Sequence, residues 1–223
     1  MERWLKGVIL TLALTAMIIS NKFISLGQVQ RLLDLGEVIF LVFAVLKLSG
    51  YTREELGLGG EFNFVTHVLF PFVFFMLPLI VVAFLPHKHV PLWKFALYLL
   101  NYLLTAGLVE ELLFRGLLFA SLEERFGGWV ALAGNSLVSW LAHFAVGLNP
   151  SQLISALVLS SYRLAFRRIE PLIAAHALWD AVFIALEPRF PGSWGLIILF
   201  PLVGGLLSIL IYASGVSSKF GTS

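Results

Sequence analysis

Two adjacent glutamates, Glu110 and Glu111, stand inside the apolar run Ala106-Gly107-Leu108-Val109-Glu110-Glu111-Leu112-Leu113-Phe114-Arg115-Gly116. On a helix, Glu111 and Arg115 are four residues apart with the acid N-terminal, the favourable order for an ion pair. Glu110 points about 100° away from Glu111 and about 140° from Arg115, so that pair leaves it unneutralised. Its partner must come from another helix, or it must carry a proton. A desolvated carboxyl without a fixed cation is the kind of group that serves as a general base near neutral pH. A second apolar run, Val138-Ser139-Trp140-Leu141-Ala142-His143-Phe144, holds a histidine. A third, His176-Ala177-Leu178-Trp179-Asp180, holds an imidazole and a carboxyl four apart, hence on one helix face, where Asp180 could hold the tautomer of His176. Each group has a structural alternative: a self-neutralising pair, a buried neutral glutamate, an interhelical hydrogen-bonder, a helix-internal His–Asp pair. Their conjunction on three separate runs points to a site. Glu110, His143 and His176 could also form a two-histidine, one-carboxylate zinc site with an open position, although no His-Glu-x-x-His helix motif is present.

A carboxylate in hydrocarbon costs roughly 2.5 to 3.5 kcal/mol on insertion scales, so the surroundings decide how unusual these groups are. The chain has 223 residues, of which 59% are hydrophobic and 13% charged, with a mean hydropathy of +0.94. That charged share is about half that of a soluble domain, and the composition means an integral membrane protein. A net charge of +2 without a basic tract is too small to suggest nucleic-acid binding. There are no cysteines, so disulfides and thiolate metal sites are excluded.

Eight candidate spans follow: about 7–26, 31–49, 65–86, 92–120, 128–147, 151–167, 171–187 and 194–214. Most approach the roughly 20 residues that cross a bilayer, and turn-like separators such as Gly59-Gly60, Gly127-Gly128, Asn149-Pro150-Ser151 and Pro188 to Gly192 divide them. The fold class is therefore all-α, a polytopic membrane bundle of about eight transmembrane helices, in one domain over 1–223. Arg3 and Lys6 precede the first span without a small-x-small cleavage site, so it reads as a retained helix. Arg3, Lys6, Lys47, Arg53, Arg125, Arg163, Arg167, Arg168 and Lys219 fall on the amino-terminal side, against Lys22, Arg31, Lys88, Lys94 and Arg189 on the other. The excess places both termini in the cytoplasm. With the fourth span ending near Ser121, Glu110 lies roughly 15 Å from the cytoplasmic end, Asp180 at similar depth and His143 at roughly 22 Å. The fifth helix must then start below the surface or tilt. Among other polar groups, His87 and His89 read as a solvated loop, Asp34 and Glu37 as solvated groups near an interface, and Arg163, Arg167 and Arg168 as topology determinants. Trp4, Trp93, Trp129 and Trp194 lie at span ends, as an aromatic belt would.

Glu110-Glu111-x-x-x-Arg115-Gly116, a histidine in the next span and His176-x-x-x-Asp180 resemble the three signatures of the CPBP family. That family joins the type II CAAX prenyl endopeptidases (the Rce1-like, or Abi-type, proteases) with bacteriocin-processing and self-immunity membrane proteins. The resemblance covers about residues 92–187, the catalytic half. One departure is that Ser139 stands where the middle motif usually has an aromatic residue, with Trp140 one position late. The resemblance implies a glutamate-dependent intramembrane endopeptidase. Glu110 and His143 would activate water, His176 and Asp180 would stabilise the oxyanion, and Glu111 with Arg115 would form a supporting ion pair. No cofactor is implied. The partners would be membrane lipids and a peptide or protein substrate, which in eukaryotic members is prenylated. A prokaryotic plasma membrane is the expected location. Many members have Asn at the position of Asp180; an ionised Asp cannot donate a hydrogen bond. Two readings compete with the peptidase: a non-catalytic binding or immunity protein using the same polar pocket, and a zinc protease. A transporter is disfavoured, since no inverted repeat or broken-helix pair is visible. Oligomeric state is left open.

Overall fold

The computed structural model describes residues 1–22, 28–84, 89–185 and 194–216. Among these residues the fold is all-helical, and the helices fall into eight runs at the positions of the eight apolar segments. They are α1 (Arg3–Lys22), α2 (Gln28–Phe43, continuing through Ala44–Leu48), α3 (Val65–Leu69, Phe72–Met76 and Leu77–Ala83 in one run) and α4 (Leu92–Tyr102, Leu103–Leu118 and Phe119–Phe126). Then come α5 (Gly128–Leu141, tightening into Ala142–Val146), α6 (Pro150–Phe166), α7 (Glu170–Asp180 and Ala181–Ala185) and α8 (Trp194–Ala213). Two of them, over Arg3–Ser20 and Val65–Val82, are long and apolar enough to cross a membrane by length and composition. The middle of α4 departs from that pattern because it carries Glu110, Glu111 and Arg115.

Much of the outer surface of the bundle is apolar, and a set of polar groups is buried within an otherwise apolar core. Phe40, Leu100, Leu137 and Leu210 are exposed, whereas Glu111, Arg115, Asn135, Ser136 and Ser160 are buried. Exposed apolar surface on this scale marks contact with something other than water. Helices meet through small residues, as close-packed membrane helices do. A Cβ on Gly204 of α8 would lie 2.7 Å from the Phe74 Cβ of α3, and one on Gly205 would lie 3.2 Å from Val158 of α6. Asn149 caps α6, its side chain accepting from Ser151 N at 2.9 Å while the Gln152 side chain accepts from Asn149 N at 2.9 Å. Trp140 Nε1 donates to the Asn149 carbonyl at 3.1 Å, tying this turn to the end of α5 that carries His143.

One end of the bundle is clipped together by charges. Arg3 pairs with Glu55 at 2.9 Å and with Glu124 at 3.0 Å, and the Tyr51 hydroxyl donates to Glu124 at 2.6 Å. The start of α1, the α2–α3 loop and the end of α4 therefore share one end, as alternating spans require. The sequence-based depths need correcting. Helix α4 runs on to Phe126 rather than stopping near Ser121, which sets Glu110 roughly 20–24 Å from its end, level with His143 along α5. Helix α7 starts deep: Ile169 and Leu172 are fully buried, and Ile169 N donates to the Gly57 carbonyl at 3.0 Å. The fifth helix need not sink, because the seventh does. Glu37, expected to be solvated, is half-buried. His89 is exposed, while His87, Lys88, Arg189 and Lys219 and the side chains of Asp34 and Trp194 lie outside the described residues.

Candidate functional site

Glu110 and Glu111 lie in the Leu103–Leu118 stretch of α4, where the helix takes the wider π form, a local form found disproportionately at functional sites. Two glycines let neighbours close on this stretch. A Cβ on Gly107 would sit 2.5 Å from the Ile173 carbonyl oxygen of α7, and one on Gly116 would sit 3.2 Å from the Leu56 carbonyl. Glu111 and His176 each fall within about one turn of the Gly107–Ile173 contact. The close approach thus delivers the imidazole to the carboxylate.

His176 Nδ1 lies 2.7 Å from Glu111 Oε1, and Arg115 Nη1 donates to the same oxygen at 3.1 Å. A carboxylate only accepts, so Nδ1 carries the proton and Nε2 faces the cleft. Glu111 and Arg115 are 0% and 2% exposed, so the acid and the guanidinium are fully buried and the imidazole closes the triad at the edge of the cleft. The orienting carboxylate of His176 is therefore Glu111, from another helix, rather than Asp180. Asp180 Oδ2 stands 4.0 Å from His176 Nε2, on the cleft side of the ring.

Glu110 faces the other way. Its Oε2 is buried with no hydrogen-bond partner among the described residues. It lies 3.9 Å from His143 Nε2 and 4.0 Å from His176 Nε2. His143 Nδ1 is 2.9 Å from the Ser139 carbonyl, again an acceptor only, so Nε2 is turned to Glu110. Residue 139 here contributes its backbone oxygen, which any side chain supplies; the missing aromatic does not disturb the imidazole. Separations near 4 Å are too long for direct hydrogen bonds and suit a water bridging the groups. Glu110, His143, His176 and Asp180 have side chains 24%, 28%, 15% and 23% exposed, so the cleft is open enough to admit a ligand. A zinc ion held at its usual bond lengths draws its donors to about 3.4 Å from one another. The gaps around Glu110 are wider, and among the described residues no group of three or more His, Cys, Asp or Glu has a metal-holding arrangement.

Sequence reasoning missed two features. Arg163, read as a topology determinant, is 2% exposed and donates to the Arg115 carbonyl behind the triad at 3.0 Å. Asn135 Nδ2 donates to Ser160 Oγ at 2.8 Å, and Ser136 Oγ contacts the Ala156 carbonyl at 3.3 Å, in a polar seam between α5 and α6. Polar residues at helical spacing, Asn135, Ser136 and Ser139 against Ser160 and Ser161, were the available signal for the seam. For Arg163 there was none beyond an arginine inside a helical run.

Residues 92–182 match the family model of the type II CAAX prenyl endopeptidases, Rce1-like. This stretch holds all of α4, α5 and α6 and α7 as far as Val182, and with them every residue of the cleft. Over this stretch the chain is similar to the Rce1-like type II CAAX prenyl endopeptidases, a family of membrane-embedded proteins. Comparison with curated proteins and with solved structures returns no significant match.

Proposed function

We propose that this protein is an intramembrane endopeptidase that hydrolyses a peptide bond with water activated by Glu110. The observation that carries the reading is the position of Glu110 Oε2: buried, without a hydrogen-bond partner among the described residues, and facing two imidazole Nε2 atoms at 3.9 and 4.0 Å. Water between Glu110 and His143 gives its proton to the carboxylate as its oxygen attacks the scissile carbonyl, while His143 orients it through Nε2. Negative charge then builds on the carbonyl oxygen. His176 and Asp180 flank that oxygen from the α7 side; as an imidazolium His176 donates to it through Nε2–H, and Glu111, hydrogen-bonded to Nδ1–H, balances the charge the ring already carries, as the buried Asp does in the Ser-His-Asp triad. Because Glu111 orients His176, Asp180 is free to act as a donor in its protonated form, the part an Asn would play. Collapse of the intermediate moves the proton from Glu110 to the leaving amine. Donors aimed at a developing oxyanion in a water-poor cleft are the most effective electrostatic device available.

All eight helices cross the bilayer in this reading, with both termini in the cytoplasm of a prokaryotic cell. The substrate is a peptide or protein segment, with or without a lipid modification, that reaches the cleft from the cytoplasm or through the bilayer. No metal takes part. The test compares membrane peptides released in cells carrying the parent with those in cells carrying Glu110→Gln. Peptides present with the parent and lost with the variant support the reading; identical peptide sets would remove Glu110 as base and favour a binding role for the pocket.

A further inference from the structure

Behind the Glu111–Arg115–His176 triad sits a second arginine that the peptidase mechanism does not use. Arg163 of α6 is 2% exposed. Its Nε donates to the Arg115 carbonyl at 3.0 Å, its Nη2 donates to the Glu55 carbonyl at 2.6 Å, and its guanidinium carbon lies 5.4 Å from the Phe119 ring centroid. Both hydrogen-bond partners are backbone oxygens from other elements. A buried charge is expensive, and filling this space alone would be cheaper with an apolar side chain, so the geometry around Arg163 calls for a reason.

The reason lies in α4. At its change of pitch, Phe119 N–H bonds to the Gly116 and Phe114 carbonyls. The carbonyl of Arg115, between those two acceptors, receives Arg163 Nε. The same guanidinium holds the Glu55 carbonyl of the α2–α3 loop, and the adjacent Leu56 carbonyl is the group that presses on Gly116. A continuous chain of contacts follows. Arg163 grips the Arg115 backbone, the Arg115 side chain grips Glu111, and Glu111 holds His176 Nδ1 at 2.7 Å.

Resting on the peptidase reading above, we infer that Arg163 is a positioning residue. By forking between the Arg115 and Glu55 carbonyls it sets the register of α4 at Arg115, and through Glu111 the orientation of His176 in the cleft. The planar fork matters as much as the charge. A lysine keeps the cation but offers a point donor that cannot span two carbonyls in fixed geometry.

The test uses the full chain in detergent micelles with Arg163→Lys and Arg163→Met, and a fluorogenic farnesylated Cys-aliphatic-aliphatic-X peptide as probe. The deciding readout is the NMR resonance of the His176 Nδ1 proton, which reports its hydrogen bond to Glu111. Arg163→Lys is expected to fold, to move that resonance, and to lower kcat on the order of tenfold with KM within about twofold, since displacement by about 1 Å costs up to 10²-fold. Arg163→Met is expected to do the same more strongly. If Met prevents folding, Lys decides. An unmoved His176 resonance and parental kcat in Arg163→Lys, with only the melting temperature lowered, would reduce Arg163 to packing and overturn the inference. Should the parent not cleave the peptide, the peptidase reading fails on that count, while the resonance still reports on Arg163: moved, it supports positioning; unmoved, it refutes it.

Discussion

Arg115→Ala removes one of two groups that hold Glu111, and the structure sets the size of the effect. Glu111 is 0% exposed and Arg115 2%, so no water is at hand to replace the guanidinium. Breaking one partner out of a buried ion pair costs about 3–5 kcal/mol. His176 Nδ1 still donates to Glu111 Oε1 at 2.7 Å, which puts the expected loss at the lower end, about 3 kcal/mol. For a chain of this size that is a fall in melting temperature of about 6–12 °C. The double variant Glu111→Gln with Arg115→Met should lose less than half as much. It buries no stranded charge, and the Gln oxygen remains an acceptor for His176. The assay is thermal stability of detergent-solubilised protein by size-exclusion fluorescence, read as a double-mutant cycle. An Arg115→Ala protein melting within about 2 °C of the parent, or a double variant as unstable as the single, would refute the claim that this pair is desolvated and mutually dependent.

Asp180→Asn should keep or raise kcat, because Asn donates without needing a proton, whereas Asp180→Ala should lose about 10²-fold; an inactive Asn variant would show that the carboxylate itself is required. Incubation with EDTA should leave peptide cleavage unchanged, and activity lost to the chelator and restored by zinc would establish the metal alternative through Glu110, His143 and His176. The Tyr51 hydroxyl lies in the loop outside the spans, where burial and the adjacent Glu124 push its pKa up to about 12 from 10.0. A raised folded value means that this stabilisation is complete below pH 10 and is lost as pH climbs towards 12. The parent's melting temperature should therefore fall across that interval more steeply than that of Tyr51→Phe, and equal slopes would exclude Tyr51 as the titrating group.

The cleft residues were legible in the sequence because ionisable groups in apolar runs are costly, and the cost makes each of them conspicuous. Glu110, His143, His176 and Asp180 could be picked out with no knowledge of packing. How they are paired could not. Spacing of i, i+4 suggested Asp180 as the partner of His176, yet the ring turns to Glu111 of another helix, through an approach that depends on Gly107 having no side chain. Helix boundaries misled for a related reason. Glu123, Glu124 and Arg125 resemble a loop after an apolar span, but they continue α4 to Phe126, and the two glutamates are met by Arg167 and Arg3. Arg163 was unreadable because both its partners are backbone carbonyls, which leave no mark in the sequence of either element.

The central claim concerns one oxygen atom of Glu110, and the most direct measurement is the turnover of purified Glu110→Gln beside the parent, in water enriched in oxygen-18. General-base catalysis predicts that the parent places the label in the new carboxyl terminus. It also predicts a fall of about 10²- to 10⁴-fold in kcat for the variant, at an unchanged melting temperature. A Gln variant that turns over within a few-fold of the parent would contradict it.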